Sequence, residues 1–420
     1  MKLITVRGEK KLYGRVDISG MKNAALPIIF STVLTRDKCI IENVPNVSDI
    51  SLSFDILRLL GAKVTYYHTT GVAVIDTEPL NKNYATYDIV SKMRGSTYLI
   101  GALLARFGAS HVGWPGGCDF GSRPIDQHIK GFEMLGAKVS FSEGYIDAVA
   151  SNGLVGGNVY FDIPSVGATV NIMIAASLAK GETVIDNAAR EPHIVDLANF
   201  LNMCGADVTG AGTSTIKIRG VEKLHGCTYA IVPDMIEAGT YMVAAAAVGG
   251  EVSVNNVIPK HMETVTAKLL EAGIDVEIKD TEIVVRSDGH FRGVSLRTLP
   301  YPGFPTDMQP QFGALMSLAE GVSNITEGIF DSRFRYLEEI AKMGGVCEIV
   351  KNKAIITGQK KLVGTKVHSS DLRAGAALLI AAMTAEGETQ ITGVELIERG
   401  YFDIVGKLRS LGADIELIEE

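Results

Sequence analysis

The sequence predicts an α/β protein of six repeats, divided as three in each of two globular halves. Three observations lead there. A helix–glycine–strand junction recurs six times, at Gly61, Gly136, Gly205, Gly273, Gly344 and Gly412, spaced 68–75 residues apart. Between the junctions lie helix-like segments that are apolar nearly all round, and such helices belong in an interior. Strand-like segments precede those helices and follow the glycines, so both element types occur in every unit.

The first repeat opens its inner helix at Asn23-Ala24-Ala25-Leu26-Pro27-Ile28-Ile29-Phe30 and closes at Leu60-Gly61-Ala62-Lys63-Val64. The second closes at Leu135-Gly136-Ala137-Lys138-Val139. The third has Ile172–Ala179 inside, the strand Glu182-Thr183-Val184-Ile185, then an amphipathic stripe of Ile194, Leu197, Leu201 and Cys204 before Gly205. The fourth has Tyr241–Val248 inside and Ala272-Gly273-Ile274-Asp275-Val276 at its close, and the fifth closes at Met343-Gly344-Gly345-Val346. The sixth runs from Ala374–Met383 through Glu388-Thr389-Gln390-Ile391 to the stripe Ile404, Leu408, Leu411 and then Gly412. Each closing glycine sits where a residue after a helix must take positive φ. A thin solenoid would leave the inner helices too exposed, so closed globules are expected.

Composition narrows the function. The chain has 420 residues, a formal net charge of −8 and 45 glycines. An acidic balance disfavours broad nucleic-acid binding. The longest charge-free apolar stretches, Ala374–Ala385 and Tyr241–Gly250, fall short of the roughly 20 residues that span a bilayer. The first residues carry no apolar run suited to a signal peptide, so a soluble cytoplasmic protein is expected, with no membrane partner. Cys39, Cys118, Cys204, Cys227 and Cys347 contain no CxxC, and the eight histidines no HxH or HxxxH. Neither a disulfide framework nor a metal site is expected. Cys39, Cys204, Cys227 and Cys347 read as small core residues.

Polar groups recur at one phase of all six units, at the starts of the inner helices: Lys22-Asn23, Arg94, Ser165, Asp234 with Glu237, Asp307, and Asp371-Leu372-Arg373. Capping accounts for Ser165, Asp234, Asp307 and Asp371. It does not account for Lys22, Arg94 and Arg373, because a cation is unfavourable at a helix start. An anionic ligand would resolve that conflict. Arg190-Glu191-Pro192 reads as a structural turn, and Arg399-Gly400-Tyr401 as either a surface turn or a further cationic site. The run from Trp114 to Pro124 is too rich in Gly and Pro for a regular element. It puts Cys118 beside Asp119 and near Arg123, an unusual setting for a core cysteine.

Ser19-Gly20-Met21-Lys22-Asn23-Ala24-Ala25-Leu26-Pro27, Pro115-Gly116-Gly117-Cys118 with Gly121–Asp126, Ser165–Thr169, Asn187–Pro192, Phe304–Gln309 and Asp371–Arg373 together resemble one family across essentially the whole chain. It is that of the UDP-N-acetylglucosamine 1-carboxyvinyltransferases, enolpyruvyl transferases that open peptidoglycan synthesis. The resemblance implies a two-domain inside-out α/β barrel with three βαβαββ repeats per domain. Its domains would be 21–229, carrying the Cys118 loop, and 1–20 with 230–420. It implies that phosphoenolpyruvate gives its enolpyruvyl group to the 3′-hydroxyl of UDP-N-acetylglucosamine, with release of phosphate and no cofactor. Carried over by matched position, Cys118 would protonate the methylene carbon, Asp307 would take the hydroxyl proton, and Lys22 and Arg399 would join the catalytic set. Lys22, Asn23, Arg123, Arg373 and Arg399 would hold phosphoenolpyruvate. Arg94, Arg123, Pro124, Ile125, Asp126, Gln127, Ser165, Val166, Gly167, Asp307 and Ile329 would hold the UDP-sugar. Gln127 departs from the Leu of some members. No oligomeric state is implied, and a monomer is compatible. The rival readings are a 5-enolpyruvylshikimate-3-phosphate synthase-like transferase and a silent UDP-sugar-binding paralogue.

Overall fold

A computed structural model describes residues 2–116 and 124–419. Contacts divide them into two compact units, one of residues 20–116 and 124–232, the other of 2–19 and 233–419.

Among the described residues each unit holds three four-stranded sheets of one pattern. The outer strand runs parallel to the second, and the third runs antiparallel to both the second and the fourth. In the unit of residues 20–232, Thr228–Ala230 lies beside Lys38–Glu42, which pairs with Val72–Asp76 and through it with Lys63–Tyr67. The strands Tyr84–Ala85, Ala109–Gly113, Tyr145–Val149 and Lys138–Ser142 repeat the order. So do Asn158–Tyr160, Glu182–Asp186, Thr215–Arg219 and Asp207–Thr209.

In the other unit, the strand Leu12–Asp17 is the outer member beside Gly250–Asn255. Lys2–Arg7 fills the third place of the last sheet. It lies between Glu388–Thr392 and Asp414–Glu419, with Ile4 facing both Ile391 and Leu417. The remaining sheet follows the same order through Leu296–Arg297, Val322–Thr326, Lys353–Thr357 and Val346–Val350.

The apolar helices fill the units, as their lack of a polar face requires. Met235–Val248 is buried from Met235 to Ala247, and Leu372–Thr384 from Leu372 to Met383. Gln309–Met316 packs against both. In the other unit Lys22–Ser31, Tyr98–Phe107 and Val166–Ala176 form the corresponding core. Each fully buried Leu, Ile or Phe there contributes about 1.5–3 kcal/mol. The amphipathic helices lie outside: Ser48–Leu59, Asp126–Met134, Pro192–Met203, Glu263–Glu271, Arg335–Lys342 and Ile404–Ser410. Among the described residues no helix is long and apolar enough to cross a membrane.

All six closing glycines have positive φ, from 85° at Gly136 to 106° at Gly61. Gly273, at 92°, has open space where a side chain would begin. Substitution there therefore isolates the conformational term. Gly273→Ala is expected to cost about 1–2 kcal/mol in a urea titration. No change would mean that the turn relaxes freely.

Candidate active site

In the unit of residues 2–19 and 233–419, the starts of the three inner helices converge on Asp307. Two of these starts are capped as expected. The Asp234 carboxylate accepts the Ile236 and Glu237 backbone N–H groups at 2.8 and 3.1 Å, and Asp371 accepts those of Arg373 and Ala374 at 2.9 and 3.1 Å. Asp307 departs from the capping expectation. It lies in the turn Thr306–Met308, and its two oxygens are taken by guanidinium groups instead. Arg333 donates to Oδ1 at 2.8 Å and Arg373 to Oδ2 at 3.1 Å. The side chains of Arg333 and Arg373 are only 1% and 4% exposed, whereas Asp307 keeps 28%. A carboxylate offers about four acceptor sites, and these two arginines occupy three of them, because Arg373 Nε also donates to Oδ2 at 3.3 Å.

The neighbours of Asp307 hold it in place. Buried Glu327 accepts the Thr298 hydroxyl at 2.7 Å, the Thr306 hydroxyl at 3.1 Å and the Ile329 N–H at 2.8 Å. This carboxylate ties the turn carrying Asp307 to the loop carrying exposed Ile329. The Arg373 guanidinium lies 5.3 Å from the centre of the Tyr401 ring. The Tyr401 hydroxyl shares hydrogen bonds with Thr240 at 2.8 Å and Gln311 at 3.2 Å. Burial opposes the charge on Arg373. Tyr401, Asp307 and Asp234 outweigh it and hold the pKa above its ordinary value. Arg399 lies half-buried in the turn two residues before Tyr401.

In the unit of residues 20–232, Lys22 opens the helix Lys22–Ser31 and pairs with Asp49 at 3.1 Å, the side chains being 12% and 6% exposed. Thus for Lys22 and Arg373 the charge conflict posed by the sequence is met by a protein carboxylate, with no anion required. Asn23 follows on the same turn, half-buried. Arg94 begins the turn Arg94–Thr97, which leads into the second inner helix. Gly95 sits so close to Leu26 that a β-carbon would come within 2.9 Å. Ser165 caps the third inner helix by accepting the Ala168 N–H at 3.3 Å, with Val166 and Gly167 in its first turn.

His128 lies beneath Gly167, on the outer helix begun by Asp126. Its Nδ1 accepts a hydrogen bond from the Asn171 amide at 2.9 Å, because the Asn171 carbonyl oxygen already accepts the Gly101 N–H at 3.0 Å. The ring is therefore neutral, with its proton on Nε2. Burial first, and the charge of Arg94 second, lower the His128 pKa to about 3. An unfolded chain takes up this proton near pH 6.5. Between those values the unfolded state binds more protons, so stability falls as pH is lowered through the window. His128→Gln is expected to flatten that fall by a few kcal/mol in urea titrations at pH 7 and pH 4. Equal losses in both proteins would refute the burial argument.

Ile125 is buried, and Pro124 and Asp126 are exposed. The Gln127 amide is committed to Asp162: its carbonyl accepts the Asp162 N–H at 3.0 Å and its NH2 donates to the carboxylate at 3.2 Å. Cys118 and Arg123 lie outside the described residues. Arg190 is exposed, and Glu191-Pro192 starts an outer helix, as a structural turn should. The sequence reading missed Arg333, Glu327 and His128. None lies in a quoted motif; His128 follows the site residue Gln127 and Glu327 lies just before the site residue Ile329 in sequence, and Arg333 reaches Asp307 through space. Among the described residues no cluster of His, Cys, Asp and Glu could hold a metal ion.

The model of the EPSP synthase (3-phosphoshikimate 1-carboxyvinyltransferase) family matches residues 6–408. A UDP-N-acetylglucosamine 1-carboxyvinyltransferase of Clostridium botulinum is 50% identical over 416 residues, covering 99% of both chains. UDP-N-acetylglucosamine 1-carboxyvinyltransferase 3 of Caldanaerobacter subterraneus is 50% identical over the full length of both. Among solved structures, the enolpyruvyl transferase NikO of Streptomyces tendae aligns with a TM-score of 0.89 at 24% identity, covering 99% of this chain and 98% of that one. An EPSP synthase of Acinetobacter baumannii aligns with a TM-score of 0.77 at 19% identity over all of both chains. The likeness to these two is one of fold, the two-domain inside-out α/β barrel. With half its residues shared along the whole length of curated relatives, the chain belongs to the UDP-N-acetylglucosamine 1-carboxyvinyltransferase family of enolpyruvyl transferases.

Proposed function

We propose that this enzyme transfers the enolpyruvyl group of phosphoenolpyruvate to the 3′-hydroxyl of UDP-N-acetylglucosamine, with release of phosphate. The observation that carries the reading is the 50% identity, end to end, with relatives of that name. The 5-enolpyruvylshikimate-3-phosphate synthase-like alternative has the broad family match over residues 6–408 and a likeness of fold at 19% identity, against 50% for relatives of the first name.

The reaction runs by addition and then elimination. The sugar oxygen bonds to C2 of phosphoenolpyruvate as Asp307 takes the hydroxyl proton, while Cys118 delivers a proton to the methylene carbon. That carbon then gives a proton back, the bond from C2 to the phosphate oxygen breaks, and the enolpyruvyl ether remains. Lys22, Asn23, Arg123, Arg373 and Arg399 hold the phosphate and carboxylate, whose combined charge approaches three. Such clamps lower barriers because they are oriented before charge develops. Arg94, Arg123, Pro124, Ile125, Asp126, Gln127, Ser165, Val166, Gly167, Asp307 and Ile329 bind the UDP-sugar. With its amide held by Asp162, Gln127 serves through its backbone. The domains are 21–229 and 1–20 with 230–420, and the enzyme works in the cytoplasm, supplying cell-wall precursor for shape and division.

Phosphate release on mixing phosphoenolpyruvate with UDP-N-acetylglucosamine tests this reading. Release with shikimate 3-phosphate instead would overturn it, and binding without release would mark a silent paralogue. The epoxide fosfomycin, a phosphoenolpyruvate mimic, is expected to stop turnover and add its mass to the peptide that carries Cys118.

A further inference from the structure

Cysteines that are far apart in the sequence meet in the fold. Cys39 lies on the strand Lys38–Glu42, Cys204 ends the outer helix Pro192–Met203, and Cys227 immediately precedes the strand Thr228–Ala230. Parallel pairing puts Thr228 opposite Ile40, and the Ile40 N–H donates to the Cys227 carbonyl at 2.9 Å, which brings Cys227 to Cys39. The His225 N–H donates to the Cys204 carbonyl at 2.9 Å and folds the helix end back onto the same spot. The sulfurs of Cys204 and Cys227 are 3.4 Å apart, and the Cys39 sulfur is 3.7 Å from the Thr35 hydroxyl. Cys39 and Cys204 are fully buried, whereas Cys227 is partly open to solvent.

We propose that this cluster is a reversible oxidation site, at which hydrogen peroxide converts Cys204 and Cys227 into a disulfide.

The two thiols have distinct parts. Cys227 is the one that an oxidant can reach. It gives its proton to solvent before it reacts, because the thiolate is the nucleophile. The Cys227 sulfur attacks one peroxide oxygen, the O–O bond breaks, and a sulfenic acid and hydroxide result. The Cys204 sulfur then attacks the sulfenic sulfur, and its proton leaves with the hydroxyl group as water. The hydroxide takes up the proton that Cys227 released to solvent. In sum, two thiols are oxidised and one peroxide is reduced to two waters. The sulfurs are already in contact, so a small side-chain shift brings them to bonding distance. In reducing surroundings the thiols are the resting form, and a dithiol reverses the step.

Lys217, Arg219 and Lys223 lie between Cys204 and Cys227, so trypsin separates the two cysteines unless they are cross-linked. The full-length protein is treated with hydrogen peroxide, blocked with N-ethylmaleimide, digested without reductant and analysed by mass spectrometry. The expected result is a Cys204–Cys227 linked peptide pair that dithiothreitol abolishes. Cys204→Ser should leave a dimedone-trappable sulfenic acid on Cys227. Maleimide on both Cys204 and Cys227 after oxidation, or a cross-link to Cys118 or Cys347 instead, would overturn the proposal. The wild-type mapping decides the matter even if a serine variant fails to fold.

Discussion

Replacing Asp307 by alanine is expected to destabilise its unit by about 3–5 kcal/mol and to remove nearly all turnover. The stability term comes from the guanidiniums of Arg333 and Arg373, both buried and both directed at this carboxylate. Removing one member of a buried ion cluster leaves charge in a poorly solvated place, which costs more than the cluster itself contributes. The catalytic term is separate. Loss of a positioned proton acceptor lowers rates by about 10²–10⁴. A urea titration and a single-turnover assay on the folded fraction separate the two. An unchanged midpoint would mean that water replaces the carboxylate between the guanidiniums. Unchanged turnover would remove Asp307 from the proton path. Asparagine is no neutral substitute, because its amide would turn a donor towards one of the two arginines.

The second large effect is expected at Cys118. Cys118→Ser should lower turnover by about 10²–10⁴ while leaving UDP-N-acetylglucosamine affinity within a few-fold of wild type. A hydroxyl is a far weaker acid than a thiol, so proton delivery to carbon suffers while the sugar contacts do not. Calorimetry for binding and rapid-quench measurement of the first turnover check the split. Normal first-turnover chemistry would remove Cys118 from the acid role, and lost affinity would assign it to binding instead.

How far the sequence could be read depended on the range of the interaction. The closing glycines were legible because positive φ is a local demand that few other residues meet, and all six have it. The buried helices were legible because an all-round apolar pattern admits only one environment. The caps at Ser165, Asp234 and Asp371 followed from residue type and position. Asp307 has the same residue type at the same phase, but its partners come from residues 333 and 373, which no local rule connects. Lys22 shows the same limit, since Asp49 lies 27 residues away on another helix. The three thiols met only through strand pairing and a helix end, so their scatter along the chain concealed their proximity. Arg190-Glu191-Pro192, by contrast, was read correctly as a turn because proline at the first helical position is a local signal.

The place of Lys2–Arg7 in the middle of a sheet bears on how the protein is made. This strand leaves the ribosome long before both its neighbours, Glu388–Thr392 and Asp414–Glu419. Residues 20–232 can complete their own sheets long before that. Pairings of such long sequence separation are slow to form, and the unit that needs them must wait with an apolar strand unpaired. Newborn chains stalled near residue 380 should therefore contain one finished globule and one open barrel, and chaperones would find their substrate in the second.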